Sequence, residues 1–248
     1  MVGIRSMSGS IPQRGEQNEP LPAPLQALVV TTPSWESIDG VVAGYERAYD
    51  EANWERRIEC IPIVVGRNGM GWGIGMHPFP PPEGPVKGEG DGRTPAGIFR
   101  LSSTFGYSPV EEISWIRMPY RQITASLLCI DDPGSACYNR IVDVKRVNAD
   151  WRSHEKMFRV DERYHYGIVV DHNVDPVVAG RGSCIFMHIW GDPPRATEGC
   201  TAMASNHLER LLLWLDPASM PILIQLPGQE YERLKGPWCL PSDFYETE

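Results

Sequence analysis

The stretch Cys184-Ile185-Phe186-Met187-His188-Ile189-Trp190 is the most strand-like in the chain, and Thr197-Glu198-Gly199-Cys200-Thr201-Ala202-Met203 follows closely behind it. Aromatic and β-branched side chains crowd the first stretch, as a buried sheet position requires. It carries a histidine near its end, and a cysteine preceded by glycine comes twelve residues after that histidine. Next, Leu208, Leu211, Leu212 and Leu215 recur at the i, i+3, i+4, i+7 spacing of an amphipathic helix over about 206–215. Asn206 with Glu209 suggests a capping box at its start, and Asp216-Pro217 a stop at its end. The order is strand, tight turn, helix, with two reactive side chains at the junction.

Outward from this junction the pattern is again that of strands. Candidates are 25–32, 40–45, 58–65, 98–101, 127–130, 167–170 and 222–226, the last expected to close the sheet. A short helix is predicted over 150–158. The chain has 24 Gly and 23 Pro in 248 residues, a surplus that disfavours a helical bundle but falls short of a low-complexity chain. A third of that surplus, ten Gly and six Pro, lies within 66–97, which predicts a long structured loop without a regular element. With 42% hydrophobic residues and eight Trp the chain can bury a sizeable core. The fold class expected is mostly β with a few short helices. Residues 1–21 read as a flexible polar tail, and 22–248 as one domain without internal repeats.

The formal charge is −9, from 23 Lys+Arg and 32 Asp+Glu, and there is no basic stripe, so nucleic acid is excluded as a partner. No apolar run approaches the ~20 residues that span a bilayer. The first twenty residues contain no apolar signal-peptide core, which fits a cytosolic protein or an exported one presented without its leader. Six cysteines without a C-x-x-C pair are too sparse for a disulfide scaffold, although one or two bridges suit an exported chain.

The chemistry concentrates at His188 and Cys200. A thiol needs a base to become a nucleophile, and histidine is the side chain suited to that near neutral pH. Glycine before the cysteine permits a tight turn that aims the Gly199 and Cys200 amides at one point, as an oxyanion hole requires. The competing reading is a buried structural cysteine. Asp171, His172 and Asn173 end a strand and could line the same cleft. Glu198 could tune the thiol, bind an amine or simply face solvent. Trp190 faces either a substrate or the core. Asp91, Arg93 and Thr94 suit pinning of the Gly-rich stretch, and Trp72, His77 and Pro80, Pro81 and Pro82 suit a cleft rim. A zinc site built from Asp171, His172, His188 and Cys200 is weakly supported, since no short-spaced ligand pair is present.

These segments resemble the L,D-transpeptidase (YkuD-type) family. Its signature is a strand-borne His followed by Ser-His-Gly-Cys before a helix. Lys87-Gly88-Glu89-Gly90-Asp91-Gly92-Arg93-Thr94-Pro95-Ala96-Gly97-Ile98-Phe99 is similar to the family's Gly-Asp-x-x-Thr-Pro-x-Gly-x-[Phe/Tyr] stretch, about 100 residues upstream. The resemblance covers roughly 25–240 and implies a β-rich, sandwich- or barrel-like catalytic fold. It implies Cys200 as nucleophile, His188 as general base, the Ile189 carbonyl orienting the imidazole and the Gly199 amide at the oxyanion. Thr197, Glu198, Trp190, His172 and Asn173 would contact substrate. The implied substrates are peptidoglycan stem peptides, handled in the periplasm or cell envelope through a thioester, with no metal or cofactor. Three positions depart from the pattern: Glu198 stands for a His, Ala202 for an Arg or Asn, and Ile189 for a Gly or Ser. The Gly-Cys-x-Ala-Met form is similar to members that cut rather than join. The acceptor is therefore an amine, giving 3–3 cross-links, or water, giving an L,D-carboxypeptidase or an amidase that detaches wall-bound proteins. A non-catalytic wall-binding module is a further alternative. Oligomeric state is left open.

Overall fold

The structure, a computed structural model, describes residues 23–77, 83–192, 194–242 and 244. The tail expected at 1–21 and the triplet Pro80, Pro81 and Pro82 lie outside the described residues. In chain order the strands are β1 (Gln26–Thr32), β2 (Asp39–Glu46), β3 (Glu55–Val64), β4 (Met70–Trp72), β5 (Thr94–Gly106), β6 (Tyr120–Gln122), β7 (Leu127–Cys129), β8 (Ile141–Asp143), β9 (Glu155–Lys156), β10 (Tyr166–Val170), β11 (Phe186–Ile189), β12 (Thr201–Met203) and β13 (Ile222–Pro227). Two helices, α1 (Ser205–Trp214) and α2 (Gly228–Leu234), flank β13 in sequence.

Every residue of β1 is buried, which its apolar, β-branched sequence predicts for a strand covered on both faces. It lies between β2, antiparallel, and β13, parallel. From there the ladder runs in the order β10-β11-β12-β3-β2-β1-β13-β5, and β5 pairs back onto β10 to close a barrel-like ring. The 13 residues of β5 make this possible, because residues 97–100 pair with β13 and 101–106 with β10. The 222–226 stretch is thus an interior strand and not the closing one. Its burial at every position explains the placement.

Leu208, Leu211, Leu212 and Leu215 are fully buried, and α1 packs this stripe against β10 and β11. The capping box expected from Asn206 does not form. The helix starts one residue earlier, with Ala204 at the cap and Ser205 Oγ donating to Glu209 Oε1 at 3.0 Å. Residues 150–158 are not helical. Met157 is the only buried residue among them, so no apolar face exists to hold a helix, and β9 forms there instead.

The Gly-rich stretch also holds more regular structure than its composition predicts. β4 pairs in parallel with the start of β5, Met70 opposite Thr94 and Trp72 opposite Ala96. Met70 and Trp72 are completely buried. Gly69 has φ +73°, and a Cβ there would lie 1.9 Å from the Trp35 carbonyl oxygen, so glycine is required for this strand to begin.

A second, three-stranded sheet, β8-β7-β9, stands beside the ring. A disulfide from Cys129, at the end of β7, to Cys184, two residues before β11, joins the two sheets.

Candidate active site

β11 and β12 are parallel neighbours, with His188 opposite Ala202. Cys200 immediately precedes β12, so the thiol and the imidazole rise from adjacent strands into one cleft. Both side chains are buried. The Phe186 N–H donates to Cys200 Sγ at 3.4 Å, and the thiol reaches the Cys184 carbonyl at 3.6 Å. His188 Nδ1 lies 2.8 Å from the Ile189 carbonyl oxygen. A carbonyl only accepts, so Nδ1 carries the proton and Nε2 is left as the basic nitrogen. The ring of Tyr164 meets the imidazole edge-to-face, 5.2 Å between centroids.

The turn before the thiol is fixed by two threonines. Thr197 Oγ1 donates to the Cys200 carbonyl at 2.6 Å and accepts from the Gly199 N–H at 3.1 Å. Thr94, in the Gly-rich stretch, donates to the same carbonyl at 3.1 Å and accepts from the Gly66 N–H at 2.8 Å. Gly199 has φ +149°, and a Cβ there would come within 3.0 Å of the Arg93 carbonyl oxygen. The two sequence motifs therefore meet at the Cys200 carbonyl. Upstream, Asp91 pairs with Lys87 and accepts from the Gly88 and Arg93 amides at 2.7 and 2.9 Å, which pins the loop.

Burial dominates the electrostatics. It lowers the pKa of His188 to about 4, with the Ile189 hydrogen bond opposing and Arg159 and Arg163 reinforcing the shift. It pushes the Cys200 thiol up to about 12, and the carboxylate of Glu155 acts in the same direction. At neutral pH the pair is a neutral thiol beside a neutral imidazole. Proton transfer must accompany attack on a substrate, since neither group is charged in advance.

The remaining predicted residues divide into two groups. Trp190, Thr197 and Glu198 line the cleft with Cys200 and His188. The Glu198 side chain is 83% exposed and paired with Arg67, so it forms a solvated rim. His172 and Asn173, expected to contact substrate, do not line the cleft, because their polar atoms are already committed. His172 Nδ1 accepts from the Ile74 N–H at 3.2 Å and Nε2 donates to the Arg181 carbonyl at 2.9 Å. Asn173 Nδ2 donates to the Val178 and Gly182 carbonyls, 2.9 Å each. Trp72 and His77 are likewise core and not rim, packed 6.1 Å apart with His77 also against Phe99 and Trp238.

Lining residues that the sequence did not mark include Asp131, Glu155, Arg159 and Tyr164. Glu155 stands on a two-residue strand and the other three on turns or irregular segments, where neither periodicity nor a motif marks them. Among the described residues, no group of three or more His, Cys, Asp or Glu is arranged to hold a metal ion. Nor is any helix among them long and apolar enough to cross a membrane.

A thiol on a glycine turn, its carbonyl held by two threonines, faces the same cleft of this β-rich fold as a histidine held on the adjacent strand by its neighbour's carbonyl. The model of the L,D-transpeptidase catalytic domain (YkuD) matches residues 52–224, and the chain belongs to that family. β1 and β2 precede the matched region, yet both are built into the same ring. No curated protein and no solved structure gives a significant match.

Proposed function

We propose that the protein is a cysteine-dependent peptidoglycan L,D-transpeptidase that joins stem peptides through a thioester at Cys200. One observation carries the reading: a buried thiol and an imidazole of fixed tautomer face the same cleft from adjacent strands. As Sγ attacks the carbonyl carbon of the L,D amide, the thiol proton passes to His188 Nε2. The C–N bond then breaks, and the imidazolium gives that proton to the departing amine of the terminal D-residue. The developing oxyanion is received by amides of the glycine turn. For Gly199 to take part, its N–H must exchange Thr197 Oγ1 for the oxyanion. An amine of a second stem completes a 3–3 cross-link. The natural site of action on this reading is the periplasm or cell envelope, and 22–248 acts as one catalytic unit.

Water as acceptor is the second reading. It is favoured by Ala202, a fully buried methyl in the cleft wall where the resemblance places an Arg or Asn as a substrate contact. Incubation with disaccharide-tetrapeptide followed by mass spectrometry separates the two. A 3–3 dimer supports transpeptidation, and tripeptide alone supports L,D-carboxypeptidase action. Release of a wall-attached protein, with neither of those products, supports an amidase. No thioester and no product would count against both readings.

A further inference from the structure

One wall of the cleft carries two carboxyl groups that take no part in the steps above, with the guanidinium groups of Arg159 and Arg163 lining the cleft beside them. Glu155, on β9, and Asp131, two residues past β7, line the cleft together with Cys200 and His188. Glu155 is held firmly. The Tyr164 hydroxyl donates to its Oε1 at 2.5 Å, and Arg159 Nη1 approaches the same oxygen at 3.5 Å. The Arg159 guanidinium also sits over the Tyr164 ring, 5.3 Å from its centroid. Since that ring also packs on His188, one rigid aromatic sets the carboxyl relative to the base. Asp131 supplies a separate observation: its Oδ1 is buried and accepts no hydrogen bond among the described residues. A buried acceptor without a donor is costly, and this one belongs to a residue that borders the cleft.

Burial raises the Glu155 pKa, Asp131 and Asp161 act in the same direction, and Tyr164 and Arg159 oppose. The result is a carboxylate more basic than usual, able to hold a proton briefly. Its charge also disfavours thiolate at Cys200. A cation bound beside it would relieve that penalty.

We infer that Glu155, with Asp131 beside it, receives the ammonium of an incoming acyl acceptor and removes one of its protons, so that an amine competes successfully with water for the thioester. The inference rests on the thioester reading above. An alkyl ammonium has no lone pair, so it must lose a proton before it can attack. That proton goes to Glu155, leaving a neutral amine and a carboxylic acid. The amine nitrogen bonds to the thioester carbonyl carbon, and its second proton passes to His188 Nε2. The C–S bond breaks, and the sulfur leaves with the electron pair and recovers the proton from the imidazolium. Glu155 then returns its proton to water. The ligand class is a primary alkyl amine carried as its ammonium form.

The test uses the full chain, disaccharide-tetrapeptide as acyl donor and two added acceptors at pH 7. One acceptor is a D-amino acid amide, largely ammonium, and the other is methoxyamine, largely neutral. Mass spectrometry reads the ratio of amine product to hydrolysed tripeptide within each sample, which does not depend on how much enzyme is active. Glu155→Gln should lower the ratio for the ammonium acceptor by about tenfold and leave the methoxyamine ratio within about twofold. Asp131→Asn, which spares Glu155, should lower the ammonium ratio about threefold. Equal losses for the two acceptors, or no loss for either, overturn the inference. If the wild type forms the thioester yet yields only tripeptide with every amine, the inference fails and the thioester reading stands. If Cys200 forms no thioester, both fail.

Discussion

The two walls of the cleft are built on different principles. The wall that carries His188 and Cys200 belongs to the closed ring, where β11 and β12 are clamped between β10 and β3 and backed by the leucine stripe of α1. The wall that carries Asp131 and Glu155 belongs to a sheet whose strands are two or three residues long. Such strands cannot hold themselves together. Packing onto the ring is supplemented by local bonds: Asp132 accepts from the Gly134 and Arg152 amides at 2.9 and 2.7 Å, and Asp150 binds Ser135 and the Ala136 amide. The Cys129–Cys184 bridge then ties this wall to the lead-in of β11. One wall owes its rigidity to the large core of the ring; the other combines a smaller apolar cluster, in which Leu127 and Met157 pack with Phe105 and Phe186, with a crosslink and a set of bonded carboxylates.

The largest effect should come from removing chemistry without touching either scaffold. Cys200→Ala and His188→Ala should each lower turnover by at least about 10³-fold while leaving the melting temperature nearly unchanged. A Cys200→Ala protein that no longer folds would mean the thiol serves the core.

Breaking the second wall's anchor should cost less activity and much stability. The bridge closes a loop with a sequence separation of 55. Replacing both Cys129 and Cys184 with Ala should therefore destabilise the protein by up to about 4 kcal/mol, read from denaturant midpoints. An unchanged midpoint would show that the small sheet docks without its crosslink.

Acid should separate the walls. The pKa values of His172 and His188 are depressed to about 4 by burial, so the folded state resists protonation that the unfolded chain accepts at 6.5. Their contribution is complete above 6.5 and is lost as pH falls from there toward 4, by roughly 3 kcal/mol for each histidine. Asp132, Asp143 and Asp150 carry the opposite group type. Amide hydrogen bonds hold Asp132 and Asp143 below the usual carboxylate range, and for Asp150 the Ser135 hydroxyl acts first. Their support persists above the ordinary value of 3.8 and fails only below it. Hydrogen exchange across an acid titration should thus show β10 and β11 losing protection before β7 and β8. The reverse order would overturn this division. Activity should fall in acid with an apparent pKa near 4, as His188 Nε2 is protonated.

The smallest effect sharpens the link between the motifs. Thr94→Val removes a hydroxyl that donates to the Cys200 carbonyl and accepts from the Gly66 amide. It should cost about 1–2 kcal/mol and reduce turnover more than stability alone explains.

The difference between the walls also explains what the sequence disclosed. β1, β3, β13 and the leucine face of α1 were legible because their apolar positions are covered in the ring or by the helix, and burial leaves a pattern. His188 and Cys200 were legible because a motif fixes their spacing. β12 was not: Thr201-Ala202-Met203 is three residues long and is a strand only because β11 and β3 flank it. α2 begins on Gly228 after Pro227, two residues that normally punctuate helices, and its packing onto β1 and β13 overrides them. Glu155 is an extreme case. What holds it, Tyr164 and Arg159, comes from outside its own strand, so nothing around residue 155 announces a carboxyl fixed in the cleft. Nor could six cysteines reveal that Cys129 and Cys184 pair, since spacing does not determine connectivity.

The carbonyl of Cys200, held at once by Thr94 and Thr197, sets a limit on transplanting this site. A designer who moved the strand and glycine turn alone would carry over the thiol but leave its backbone free to swing. The portable unit is larger: the parallel pair β4 and β5 must travel with β11 and β12, because half of the hold on the Cys200 carbonyl is encoded about a hundred residues before it.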